Sequence, residues 1–152
     1  AFDYFQRAAE AAAPSIQVDL VPTRVESAAE MERAVTSFAS ASNGGLLLLP
    51  DPTNVGNRAL IVALAAQHRL PAVYPFRLFI TAGGLMAYET EQSEISRLVA
   101  SYVDRILRGA KPADEPVQVP TKYATVLNLK TARAMELEVP PSLLVRADEV
   151  IE

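Results

Sequence analysis

Gly44-Gly45-Leu46-Leu47-Leu48-Leu49-Pro50-Asp51-Pro52-Thr53-Asn54 is the stretch that decides the fold. Four successive leucines, bounded by a glycine pair and a proline, suit a strand covered on both faces, as central strands of parallel sheets are. The polar turn behind them then falls at the strand's carboxyl end. Open α/β sheets receive small ligands in the crevice beyond those ends, so Asp51, Thr53 and Asn54 are site candidates by position.

Strands and helices alternate on both sides of this run. Ile16, Val18, Leu20 and Val21 predict a strand over residues 15–25, bent or edge-placed by Pro22. Ser27-Ala28-Ala29-Glu30 is a capping box, after which Met31, Val35 and Phe38 share a helical face until Asn43-Gly44. Near the start, Phe2, Phe5 and Ala9 have helical spacing with no cap before them, which reads as a piece of a longer protein. Downstream, a helix opening at or before Asn57 places Ile61, Leu64, Ala65 and His68 on one face and ends at Leu70-Pro71. The strand Ala72-Val73-Tyr74 follows, then a short helix over 76–82 and, past Gly83-Gly84, a strand over 85–88. The second strand-end loop thus adds Tyr74, Phe76 and Arg77 to the site candidates, and Tyr88 is a third location. Asp51 suits an ammonium group, Thr53 and Asn54 offer neutral hydrogen bonds, and Tyr74 or Phe76 suits stacking on a flat ligand body.

The clearest helix covers residues 93–108, where Ile95, Leu98, Val99, Tyr102, Val103, Ile106 and Leu107 keep the three-and-four spacing and Gly109 is the stop. Such a stripe requires cover. Residues 110–120 are proline-spaced and read as an extended connector, in which Asp114-Glu115 is expected to be solvated. A last strand over 123–129, a short helix over 131–135 and, after Pro140-Pro141-Ser142, a helical stretch ending near Ile151 complete the chain. The fold class is α/β, a doubly wound, mostly parallel sheet. Residues 1–84 read as a lobe, 85–122 as a crossover strand, helix and connector, and 123–152 as a return segment.

Composition removes several functions. The chain is half apolar with net charge -4, and its arginines are scattered singly without an aromatic-basic platform, which argues against nucleic acid. It has no cysteine, hence no disulfide or thiolate metal site. The single histidine, His68, sits at a helix end and reads as structural. There is no Gly-x-Ser-x-Gly elbow, no phosphate-binding glycine loop and no carboxylate pair that would let Asp51 work with a divalent ion. No enzyme, cofactor or metal is expected.

Several blocks then occur in one order: Arg69 to Tyr74, Ala82-Gly83-Gly84-Leu85-Met86-Ala87-Tyr88, Tyr102 to Asp114, Pro120-Thr121-Lys122-Tyr123, Asn128-Leu129-Lys130-Thr131-Ala132 and Pro140 to Leu144. Together they resemble the carboxyl-terminal half of ABC-transporter substrate-binding proteins with a type I periplasmic-binding fold, in the branch related to tryptophan/tyrosine permease binding components. The resemblance implies one lobe of a two-lobed protein that closes on a small solute, with an amino acid first in line, and presents it to a membrane permease outside the cytoplasm, in the periplasm or its equivalent. It also implies that residues 85–88 and the helix after them pack on the other lobe; left alone, the apolar face of 95–107 would fold onto its own lobe or pair two chains into a homodimer. A ligand-sensing domain of a transcription regulator, with the same bilobal architecture, is the competing reading. Two positions depart from the family pattern: Glu89 follows Tyr88 where glycine is expected, and Glu136 replaces a glycine at a helix end.

Overall fold

The computed structural model describes residues 2–41 and 43–152. In chain order the elements are α1 (Phe2–Ala12), a 3-10 turn (Ala13–Ile16), α2 (Ala28–Phe38), β1 (Leu46–Leu47), α3 (Pro52–Gly56), α4 (Arg58–Gln67), β2 (Ala72–Tyr74) and α5 (Arg77–Thr81). There follow β3 (Met86–Thr90), α6 (Gln92–Leu107), a second 3-10 turn (Pro112–Asp114), β4 (Tyr123–Asn128), α7 (Leu129–Ala134), α8 (Pro141–Arg146) and β5 (Glu149–Ile151). The strands form one five-stranded sheet in the order β1-β2-β3-β4-β5. All neighbours are parallel except β3 and β4, which pair antiparallel over Met86–Thr90 and Tyr123–Asn128. This is the mixed α/β, mostly parallel sheet that the sequence predicts.

Register divides the sheet into two unequal faces. Tyr74 pairs with Ala87 and Ala87 with Val126, so these residues and Ala72 point the same way. They are buried in one cluster with Met31 of α2, Ile61, Val62 and Ala65 of α4, and Phe79 and Ile80 of α5. Val35, Leu64 and Leu70 extend this cover by joining α2 to α4. The opposite face carries Leu47, Val73, Met86, Tyr88, Tyr123 and Val150. There Leu47 is 57 % exposed and Tyr88 52 %. A compact protein of 16.4 kDa exposes about 7,500 Å², whereas this chain exposes 10291 Å². Exposed Leu47 and Tyr88 on this face and α6, none of whose residues is buried, contribute to the excess, although Leu127 on the same face is covered.

Local signals explain most helix ends. Ser27 caps α2 by accepting from the Glu30 N–H at 3.3 Å, and Glu30 accepts in return from the Glu26 N–H at 2.9 Å. Gly109, with φ of 102°, ends α6 in the left-handed region. Gly84 has another reason to be glycine: an added Cβ would meet Tyr74 Cε2 at 2.7 Å and the Phe79 carbonyl at 2.8 Å.

Five expectations need correction. Residues 15–25 form no strand: a 3-10 turn ends at Ile16, Gln17 turns left-handed with φ of 54°, and no strand is paired with the segment, leaving Ile16 and Val21 exposed. Alternation supplies a face, but a strand also needs a neighbour to satisfy its backbone. The leucine run is not buried on both faces: β1 is an edge strand of this sheet and Leu47 points to the face left open beside it. The strand predicted over 85–88 runs instead from Met86 to Thr90 and is the central strand of the sheet, paired on both sides. The terminal helix stops at Arg146 and β5 replaces its second half, since a short apolar run does not distinguish helix from strand by periodicity. Glu115 is not a solvated connector residue but takes the Arg105 Nε–H at 2.9 Å. The helical spacing assigned to Phe2 concerns a side chain outside the described residues.

Candidate functional site

Because β1, β2 and β3 are parallel, their carboxyl ends face one way, and the antiparallel β4 brings its own start, and that of β5, to the same rim. Asp51, Phe76, Arg77, Glu89, Tyr123, Asp148 and Glu149 therefore belong to one end of the molecule. The Asp51 and Tyr74 corners point in the same direction, as a ligand crevice requires.

The Asp51 loop is closed on itself. Asp51 caps α3, accepting the Thr53 N–H at 2.7 Å. That bond, with help from the Thr53 hydroxyl, holds the exposed carboxyl below its ordinary value. Asn54 donates from Nδ2 to the Leu49 carbonyl at 3.0 Å, fixing the turn to the end of the leucine run. The side chains proposed as ligand contacts are thus already used in shaping their loop.

The second loop divides its candidates between core and rim. Tyr74 is 1 % exposed and lies parallel to Phe79, the ring centroids 4.9 Å apart. Burial pushes its hydroxyl up to about 12. It is a core residue, and the expectation that it stacks on a ligand is set aside. Phe76 is half-buried against the same core. Arg77 is at the rim: its guanidinium donates to both carboxylate oxygens of Glu149, and its backbone N–H donates to Glu89 Oε2 at 2.7 Å. The hydrogen bond with Glu149 raises the arginine and lowers the carboxyl. Glu89, one of the two departures from the family pattern, caps α5 from β3, where Phe76 supplies no side-chain cap.

Tyr88 points to the bare sheet face. It stacks on Tyr123 of β4, centroids 5.2 Å apart and planes 8° from parallel. Around Arg77 a depression of about 410 Å³ is lined by Glu89, Glu91, Tyr123, Asp148 and Glu149 among others. The lining holds four carboxylates and one guanidinium, so it has negative charge in excess. Sequence reading marked Glu89 only as a departure from the family pattern and missed Glu91, Tyr123, Asp148 and Glu149. No local pattern marks the last three, because only the antiparallel return of β4, with β5 beside it, brings them to the rim.

The other chemistry is sparse. His68 closes α4, with its Nε2 buried and without a hydrogen-bond partner among the described residues. Among those residues no group of three His, Cys, Asp or Glu side chains is placed to hold a metal ion, and no helix is long and apolar enough to cross a membrane.

Residues 6–151 match the family described as ABC transporter substrate binding protein. The chain belongs to this family. Its fold is also that of solved substrate-binding domains. The Streptococcus pneumonia ABC domain in complex with L-Trp is 24 % identical, with a TM-score of 0.86 over 98 % of this chain and 50 % of its own length. A conserved domain protein from Vibrio cholerae is 22 % identical, with a TM-score of 0.83 over 97 % of this chain and 49 % of its own. The ligand-free, open form of CD0873, a Clostridium difficile substrate binding protein with adhesive properties, is 14 % identical, with a TM-score of 0.66 over 95 % of this chain and 48 % of its own. No curated protein matches the sequence. The chain spans about half the length of the solved structures it resembles. Family members of this kind are substrate-binding proteins rather than enzymes.

Proposed function

We propose that this chain supplies one lobe of a solute-binding component of an ABC-type importer, and that the solute is an amino acid. The observation that carries the reading is family membership over nearly the whole chain, joined to a rim where the ends of five strands converge. The lobe's half of the pocket comprises the Asp51-Pro52-Thr53-Asn54 turn, Phe76 and Arg77, with Tyr88 and Tyr123 beside the strands that cross out of the lobe. The excess of carboxylates around Arg77 suits the ammonium end of an amino acid better than its carboxylate end. Tryptophan is the first ligand to test, because a structural relative of similar fold was solved with L-Trp. The lobe binds and releases; it has no catalytic step. Its partners are the solute and a membrane permease, and its place is outside the cytoplasmic membrane. The surplus of exposed apolar surface supports a second body closing over the rim.

The test is thermal unfolding of the whole protein with each amino acid in turn. A ligand at 100 times its dissociation constant adds about 2.7 kcal/mol, a readable shift in midpoint. A shift with tryptophan or another amino acid is expected. No shift with any amino acid, alongside one with a sugar, overturns the amino-acid assignment; no shift with any solute overturns the binding role.

A further inference from the structure

The sheet lobe and α6 are joined by two strands only, β3 running out at Thr90 and the connector returning at Tyr123. None of the residues of α6 is buried, and the helix shares no packed interface with α2, α4 or α5. Its polar contacts are with its own connector: Tyr102 OH donates to the Pro116 carbonyl and accepts the Gln118 N–H at 3.1 Å, and Arg105 pairs with Glu115 at 2.7 Å. The direction in which α6 leaves the sheet is therefore set where the two strands pass each other. There one carboxylate collects three donors. Glu94, in the first turn of α6, accepts from the Thr121 N–H at 3.0 Å, the Thr121 hydroxyl at 2.9 Å and the Lys122 N–H at 2.8 Å. One backbone bond, Glu91 N–H to the Lys122 carbonyl at 3.0 Å, lies beside it.

We infer that Glu94 is a positioning residue of the solute-binding cycle, the pin that ties the first turn of α6 to the returning chain just beyond the last β3–β4 pair, Thr90 with Tyr123, and so fixes the angle at which α6 and its connector are presented to the cleft. The inference rests on the proposed binding role for its purpose, but not for its geometry. Hydrogen bonds to a charged acceptor are the strong ones, and three on one side chain between segments 27 and 28 residues apart restrain relative rotation more than the single backbone bond does. Glutamine keeps an acceptor for the two N–H groups and turns its amide toward the Thr121 hydroxyl, so it holds the geometry with neutral bonds. Alanine removes all three. Aspartate keeps the charge but is one methylene short.

This chain contributes no cysteine, and any cysteine elsewhere in the whole protein is first replaced by serine, so that two labels are placed without background. Ala63 of α4 and Ala100 of α6, both exposed, are each changed to cysteine in the whole protein, spin-labelled, and their distance distribution is measured. The expected series is narrow for the parent, intermediate for Glu94→Gln and broadest for Glu94→Ala, with the thermal midpoint of the sheet domain unchanged in Glu94→Gln. If the parent binds an amino acid, Glu94→Ala lowers its affinity about tenfold, because only about a tenth of the molecules then hold the competent angle. A distribution as narrow in Glu94→Ala as in the parent overturns the pin. Should Glu94→Ala not fold, Glu94→Asp, one methylene too short to reach Thr121 and Lys122, with the parent's width overturns it equally. Because the distance measurement needs no ligand, a protein that binds no amino acid refutes the binding role and leaves the pin to be judged by its own result.

Discussion

Helices α4 and α6 make opposite use of apolar residues. The shorter, Arg58–Gln67, is apolar nearly all round and buries Ile61, Val62, Leu64 and Ala65. The longer, Gln92–Leu107, has a sharp apolar stripe and buries nothing: Val99 is 55 % exposed and Val103 50 %. The stripe of α6 is thus a surface still to be covered, whereas the all-round apolarity of α4 is already covered. The pair separates the work of the chain into a self-sufficient half-core over one sheet face and a projecting arm, α6 with its connector, held by polar contacts.

That separation is tested most severely in the core. Phe79 is fully buried and stacked on Tyr74, and Phe79→Ala is expected to cost about 3–5 kcal/mol in chemical denaturation. Its counterpart on the arm, Val103→Ser, is expected to change stability by less than about 0.5 kcal/mol; equal losses would erase the distinction. Gly84→Ala comes next, at about 1–3 kcal/mol, because the new methyl must displace the Tyr74 ring or the Phe79 carbonyl.

Smaller effects sharpen the contrast between the core and its polar fastenings. Glu136 has φ of 59° and Arg69 φ of 53°, both left-handed at helix ends, and they pair with each other at 2.8 Å. The exposed ion pair contributes about 0–1 kcal/mol, while a left-handed non-glycine residue costs about 1–2 kcal/mol. Glu136→Gly should accordingly be less destabilising than Glu136→Ala, by roughly 1 kcal/mol, since only glycine relieves the backbone. At the rim, the Arg77 hydrogen bond holds Glu149 below its ordinary value of 4.5. A carboxyl lowered on folding stabilises above its unfolded value and loses that contribution as pH falls through the lower folded one. Denaturation midpoints measured from neutral pH downwards should decline more shallowly below about pH 4.5 in Arg77→Leu than in the parent; parallel declines would remove Arg77–Glu149 as a fastening.

Much of the fold was legible from local pattern. The capping box at Ser27, the βα units about Leu46 and Ala72, and the glycine stop of α6 follow from signals within a few residues. What pattern did not reveal was partnership. Residues 15–25 alternate like a strand but have no neighbour in the sheet; Leu47 reads as interior but lies on an edge strand's bare face. Tyr74 looked like a ligand contact because it ends a strand, and the structure turns it inward because its strand position shares the face of Ala72 and Ala87. The rim acids Asp148 and Glu149 are far from Arg77 in sequence and meet it only through the order of the sheet. Local chemistry thus located the loops, and topology determined which of their side chains face outward.

Hydrogen exchange followed by mass spectrometry compares the two helices directly within one sample. Amides of α4, and of β2 through β4, should be protected to the level of global unfolding, while those of α6 exchange orders of magnitude faster through local opening. Equal protection of α4 and α6 would show that the arm is packed into the lobe and would contradict its role as a surface held out for the closing half of the cleft.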